Sequence, residues 1–322
     1  MSEYPIDAVI TWVDGNDPEH RRKRLSYEKD GESRLDDVAG DIRYVSIGEI
    51  RYCVASILRF APFVRKIFIV TDGQDPCLGD FIESRFPGQS SKINIIDHKV
   101  IYRGYEQYLP VFNSLSIETM VWRIPGLSEH FIYFNDDFML VKPTVPEDYF
   151  DGDKVLCYAN KMSIWFANAL QYLKPKRSGH KVVTFKHAMV RAAEILGVKD
   201  YFYRLGHNPQ SMRVSILEEY FASHPDIMEK NCGYRFRDKD QFVPQELCFL
   251  LCRQRNKLVL KPKKGNNLYL LPKGDRYMKS HLKKFQASTR EKFCCVNSLN
   301  YASEAYREAV LAWLSERILG EE

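Results

Sequence analysis

The chain has 322 residues, 45% of them hydrophobic and 13% aromatic. That is enough apolar side chain for a sizeable core and too much for a disordered or fibrous protein. Lysine and arginine number 47 against 42 aspartates and glutamates, giving a net charge of +5, so a polycation is excluded and no nucleic-acid partner is expected.

Taken in chain order, Ile6 to Val13 is a nearly continuous apolar run ending at Asp14-Gly15. This is the pattern of a strand buried on both faces that feeds a turn. Glu19 to Asp41 is polar and reads as a loop or insertion. Ser46-Ile47-Gly48-Glu49 has capping-box spacing, and Ile50, Val54, Ile57 and Leu58 continue a helical stripe that Pro62 closes. Lys66 to Thr71 forms a second strand, closed by Asp72-Gly73, and Ile93 to Ile96 a third. Asn113 or Ser114 caps a helix with apolar positions Ile117, Met120, Val121 and Ile124. Phe131 to Phe134 is a fourth strand, running straight into Asn135-Asp136-Asp137. Strands separated by helical patterns predict an α/β fold with a mainly parallel, Rossmann-like sheet flanked by helices.

The second half reads as more helical. Leu173 to Val182 is a polar loop. Ser211 to Ser223 is amphipathic through Val214, Leu217, Tyr220 and Phe221, and Gln241 to Gln254 is a further helix. Leu258 to Leu260 and Leu268 to Leu271 form a small β element. Ser303 caps a last helix with Tyr306, Val310, Trp313 and Leu314 on one face. No apolar run approaches the roughly 18 residues of a membrane span, and Met1 to Asp7 lacks a secretory signal pattern. The eight cysteines are scattered and lack CxxC pairs, which predicts reduced thiols and a cytoplasmic location.

Three strands end in acidic turns: Asp14 with Asp17, Asp72, and Asp136 with Asp137. In open parallel sheets ligands bind beyond the carboxyl ends of the strands. Adjacent aspartates there suit a hard divalent cation, Mg²⁺ or Mn²⁺, which takes one or two carboxylates together with substrate phosphates. The pattern points to a nucleotide-diphosphate site with the metal on Asp136 and Asp137. Asp-Gly and Asn-Asp are also ordinary turn formers, so the weight rests on three such turns sharing an edge. A second constellation is Gly206-His207-Asn208-Pro209, then Arg213, Arg235, Arg237, Asp238 and Asp240. A histidine in a proline-fixed loop suits a general base, and arginines suit phosphate oxygens. Cys248 and Cys252, at i and i+4, read as core. Lys261, Lys263, Lys264, Lys279, Lys283 and Lys284 form a basic C-terminal surface, read as a solvated face or, alternatively, as one that contacts an anionic glycan or the inner membrane surface.

These motifs resemble a known family. IDAVITWVDGNDP (Ile6 to Pro18) is similar to the first conserved block of the Stealth proteins, and the span from Gly48 to Phe150 to the second. That span includes APFVRKIFIVTDGQDP, LPVFNSLSIE and RIPGLSEHFIYFNDDFML. The third block resembles GHNPQSMRVSILEEYFASHP and YRFRDKDQ, and the fourth, more weakly, KFCCVNSLNYASEAYREAVLAWL. The resemblance implies transfer of a hexose 1-phosphate from a UDP-sugar to a glycan hydroxyl, with release of UMP, in capsular or cell-surface polysaccharide synthesis. The family's acid block falls on Asp136 and Asp137, its histidine on His207, and its third-block arginine on Arg237, with Arg235 the competing alignment. Its first-block acid falls on Asp17, and Arg51 and Asn113-Ser114 lie in strongly matching stretches. The family's Leu-Asn-Asp stands here as Val296-Asn297-Ser298.

The implied catalytic group is His207, Arg237, Asp137 and Asp240, the last a second base candidate. Trp12, Asp14, Gly15, Asp17, Arg51, Thr71, Asp72, Gly73, Asn113, Ser114, Arg213 and Arg235 would bind the donor. Residues 1–160 are expected to form the nucleotide-sugar half and 161–322 the half that completes the site. The alternative is a metal-dependent glycosyltransferase with a GT-A-like sheet, which would use the same donor but release UDP. A peripheral association with the inner membrane or the capsule machinery is a further expectation.

Overall fold

The computed structural model describes residues 4–28, 48–167, 185–263, 267–271, 275–288 and 290–321. Its central sheet is built from β1 (Ile6–Thr11), β2 (Val64–Thr71), β3 (Ile93–Asp97), β4 (His130–Asn135) and β9 (Gln210–Arg213), in the order β3-β2-β1-β4-β9. The first four are parallel and β9 is antiparallel to β4. The run in β1 is apolar because both its faces are covered, and only Thr11 at its end is less than buried. Strand order reverses between β1 and β4, so their carboxyl ends flank a crevice at a topological switch point.

Two smaller sheets lie beside it. One has the order β10-β7-β6, with β6 (Phe150–Asp151), β7 (Lys154–Ser163) and β10 (Leu258–Lys261), and β8 (Tyr201–Leu205) also pairs with β7. The other has the order β11-β12-β5, with β5 (Phe138–Leu140), β11 (Asn267–Leu270) and β12 (Phe293–Val296). The second half therefore supplies strands as well as helices. Strand β12 runs antiparallel to β5, which starts directly after Asp137.

The helices that position the site are α1 (Pro18–Tyr27), α2 (Glu49–Phe60), α3 (Gly79–Arg85), α4 (His98–Ile101) and α5 (Ser114–Glu118), followed by α6 (Phe185–Ile195) and α7 (Val214–Ser223). Further along come α8 (Pro225–Cys232), α9 (Pro244–Gln254), α10 (Asp275–Ala287) and α11 (Glu304–Leu314). Helix α2 buries Ile50, Val54 and Ile57 of the predicted stripe, with Phe60 beside them, while Leu58 is half-buried. All eight cysteines are free thiols, seven of them buried, and Cys294-Cys295 lies in β12.

Several sequence expectations are corrected. Glu19 to Asp41 is not all loop: Asp17 accepts from the backbone N–H groups of Glu19 and His20, and α1 follows with Pro18 in its first turn. The rest of that stretch, and the proposed cap at Ser46, fall outside the described residues. So does the loop Leu173 to Val182. Gly48, at φ +91°, precedes α2 and gives no side-chain cap. The helix expected through Ile124 ends as α5 at Glu118, and Val121–Arg123 is a 3₁₀ turn before Pro125. Pro125 disfavours helical backbone at Ile124. Ser211 to Arg213 is not helical: it pairs as β9 with Ile132, Phe131 and His130, and the helix begins at Val214. The two segments expected to form one β element belong to different sheets, β10 on β7 and β11 on β12. Within the described residues no helix is long and apolar enough to cross a membrane.

Candidate functional site

Two cavities open at the carboxyl edge of the central sheet. The first, about 340 Å³, is lined in part by Glu118, Tyr133, His207, Gln210, Gln245 and Tyr301. The second, about 300 Å³, is lined in part by Thr11, Trp12, Val13, His20, Phe112 and Asp136. They share a wall of Ser114, Asn135, Asp137, Arg237 and Asn297. The shared wall thus stands at the switch point between β1 and β4.

The acid pair occupies the turn between β4 and β5. Burial, the carboxylate of Asp137 and that of Glu49 push Asp136 well above the usual carboxylate range. Burial also raises Asp137, against the bonds it receives from Asn297 and Cys295. A half-buried acid pair whose neighbour is a further carboxylate is a donor set that a divalent cation neutralises. No cluster of three or more metal-ligating side chains is present among the described residues. The pair therefore fits a cation that keeps most of its coordination for water and substrate oxygen, as Mg²⁺ does.

Glu118 is a functional candidate that sequence reasoning missed. It closes α5, is 4% exposed, and accepts from Tyr133 Oη at 3.1 Å and Gln245 Nε2 at 2.9 Å. Burial raises its pKa, opposed by Gln245, Tyr133, Ser114 and the charge of Arg237. Tyr133 Oη also bonds Thr11 Oγ1 and Asn135 Oδ1, both at 2.7 Å, which ties the ends of β1 and β4 together. The signal was available: Glu118 is an acid four residues after Ser114 on a helix whose other side chains, Leu115 and Ile117, are core.

His207 lies in the loop between β8 and β9. Its ring stacks on Tyr269 at 4.4 Å with a 6° interplanar angle, and Asn267 Nδ2 bonds its carbonyl at 2.7 Å. Burial, with Lys263 and Arg204 nearby, pushes its pKa down to about 4, so the imidazole is neutral at physiological pH. Lys263 bonds Leu205 O at 3.3 Å and is half-buried here rather than part of an outer flank, and Lys264 lies outside the described residues.

The other predicted residues divide. Trp12, Asn113, Ser114 and Arg237 line the cavities with Asp136, Asp137 and His207. Asn113 caps α5 and donates to Gln241 Oε1 at 2.5 Å and Phe236 O at 3.1 Å, fixing the loop that carries Arg237. Asp14, Gly15, Asp17, Arg51, Thr71, Asp72, Gly73, Arg213, Arg235 and Asp240 line neither. Asp14 holds the turn through Asn16 and Gln74, and Asp17 caps α1. Asp72 is paired with Lys23 at 2.7 Å. Arg51 lies over the Phe81 ring and Arg235 over Tyr27. Asp240 is paired with Lys239 at the surface. Arg213 bonds Glu129 at 2.8 Å beside His130, at the opposite end of the sheet.

Fold and site together define an open-sheet α/β protein whose two cavities meet at the switch point. Comparison with known proteins narrows this. Conserved region 1 of the Stealth proteins matches residues 4–32 and conserved region 2 matches residues 43–158. The exopolysaccharide phosphotransferase cps2G of Lactiplantibacillus plantarum is 30% identical over 257 residues, covering 74% of this chain and 72% of its own length. The exopolysaccharide phosphotransferase SCO6021 of Streptomyces coelicolor is 42% identical over 241 residues, and SCO6023 34% over 247. The chain spans only 42% and 39% of those two proteins. This chain belongs to the Stealth family. Among solved structures, the bifunctional glycosyltransferase WbbM superposes with a TM-score of 0.47 at 11% identity, over 98% of this chain and 50% of that one.

Proposed function

We propose that the chain transfers a hexose 1-phosphate from a UDP-sugar to a hydroxyl of a glycan acceptor, releasing UMP and leaving a phosphodiester, in capsular or cell-surface polysaccharide synthesis. The observation that carries this reading is the shared wall between the two cavities. Displacement at phosphorus needs a nucleophile on one side and a leaving group on the other, in line. Here Asp137, Arg237 and Asn297 separate a chamber holding His207 from one walled by Trp12 and Phe112.

On this reading the uridine packs in the second cavity against Trp12, Val13 and Phe112. The phosphorus bearing the sugar sits at the wall. Arg237 offsets charge on its non-bridging oxygens, a contribution of about 3–4 kcal/mol for one such donor. His207, neutral near pH 7, accepts the proton of the attacking hydroxyl. Glu118 holds Tyr133 and Gln245 in place beneath the wall. Asp136 and Asp137 would hold Mg²⁺ or Mn²⁺, which when bound neutralises phosphate charge. The cytoplasm, where free thiols persist, suits the eight unpaired cysteines, and the basic residues of α10 are the proposed face toward an anionic membrane or polymer.

The test is to incubate the protein with UDP-glucose, UDP-galactose or UDP-N-acetylglucosamine, Mg²⁺ and acceptor oligosaccharides, and to identify the nucleotide product. UMP is expected. UDP would assign glycosyl transfer instead, and absence of nucleotide turnover with all three donors would overturn both readings.

A further inference from the structure

We propose that Asn297, held by Ser298, makes Asp137 a one-oxygen ligand and thereby selects a six-coordinate cation, Mg²⁺ or Mn²⁺, over Ca²⁺. This rests on the reading of Asp136 and Asp137 as cation ligands. Among the described residues the two side-chain donors that reach Asp137 both go to the same oxygen. Asn297 Nδ2 donates to Oδ2 at 3.0 Å and Cys295 Sγ to Oδ2 at 3.4 Å, and Oδ1 receives neither. Ca²⁺ takes six to eight oxygens and commonly chelates both oxygens of one carboxylate, whereas Mg²⁺ demands near-octahedral geometry and single-oxygen ligands. An amide N–H seated on Oδ2 competes with chelation and leaves single-oxygen binding unhindered.

The amide cannot easily turn away. Ser298 Oγ donates to Asn297 Oδ1 at 2.8 Å, so the oxygen of the amide is taken and its NH₂ faces Asp137. Ser298 does this from φ +57°, a left-handed conformation uncommon for serine. The backbone fixes the same arrangement: Val296 N bonds Asp137 O and Asn297 N bonds Leu270 O, both at 3.1 Å. Asn297 and Ser298 both line the cavity that holds His207. Asn297 is thus a positioning residue, acting through the carboxylate it orients, and Ser298 positions Asn297.

Cation binding is measured without donor, by Mn²⁺ paramagnetic resonance with Mg²⁺ and Ca²⁺ as competitors, on wild type, Asn297→Ala and Ser298→Ala. Loss of such an outer partner typically weakens metal binding about 10- to 100-fold. In Asn297→Ala, Mn²⁺ and Mg²⁺ are expected to weaken by that order and Ca²⁺ by much less, so the preference collapses. Ser298→Ala shifts the preference the same way by a smaller factor. Equal weakening of all three cations, or an unmoved preference in both variants, overturns the proposal and leaves the ligand reading intact. Wild type binding no divalent cation overturns the ligand reading itself, and this proposal with it.

Discussion

The two ends of the central sheet handle buried acids in opposite ways. At the amino end, Asp7 is fully buried and receives Arg65 Nε at 2.9 Å, Arg65 Nη2 at 2.6 Å and the backbone N–H groups of Lys66 and Ser128 at 3.1 and 2.7 Å. There too, burial would raise Glu129, yet the bonds from Ser215 and Arg213 hold it below the usual range. At the carboxyl end, Glu118 is buried and Asp136 and Asp137 are half-buried, and all three are raised. At the amino end the acids are bonded by arginines and backbone N–H groups and losing such a partner destabilises a fold, whereas Glu118 and Asp137 are bonded by neutral side chains, the setting of a functional acid.

Four outcomes test this contrast. The largest is expected at the paired end. Asp7→Ala leaves the backbone N–H groups of Lys66 and Ser128 without their acceptor and breaks the pair with the part-exposed Arg65, and should lower stability by about 2–4 kcal/mol in urea unfolding. Asp137→Asn at the other end should reduce transfer about 10²- to 10³-fold with a urea midpoint no lower than wild type. A fall in the midpoint comparable to that of Asp7→Ala would erase the distinction between the ends.

The third outcome concerns pH. His207 is pushed down to about 4, so the acid limb of kcat/KM should lie well below 6.5. A limb at 6.5 or above that moves on His207 substitution would contradict its burial as the controlling influence. The smallest effect is on stability at Glu118. Its folded pKa is raised, so the folded state binds more protons than the unfolded chain above the ordinary glutamate pKa, and stability is lost as pH rises. Glu118→Gln should therefore raise the thermal midpoint at pH 8, with the gain vanishing toward pH 4.5.

Strands β1, β2 and β4 were legible because strands covered on both faces are mostly apolar, with Asp7 the paired exception in β1, and the acid turn after β4 because it breaks such a run abruptly. His207 and Arg237 were legible through their motif blocks. Position along an antiparallel edge was not. Reading Ser211 to Arg213 as helix puts Arg213 near the crevice, but as β9 it runs back along β4 and ends beside His130. Asp14, Asp17 and Asp72 show the other limit. Spacing put them on the correct edge, but a turn bond, a helix cap and Lys23 already occupy them. Glu118 and Gln245, 127 residues apart, meet only through the tertiary fold, in one hydrogen bond between the end of α5 and the first turn of α9, which no local pattern encodes.

The pairing of β12 with β5 has a consequence in time. The strand order β3-β2-β1-β4 involves nothing beyond Asn135, so those four strands can pair before the last part of the chain is made. The acid turn is different. It is closed by Cys295, Val296 and Asn297, which bond Asp137 across an interval of about 160 residues. Until that segment has left the ribosome, a nascent chain can hold the scaffold of the crevice but not its finished wall. Clipping before residue 293 would remove those donors together with core residues such as Val310, Leu314 and Ile318.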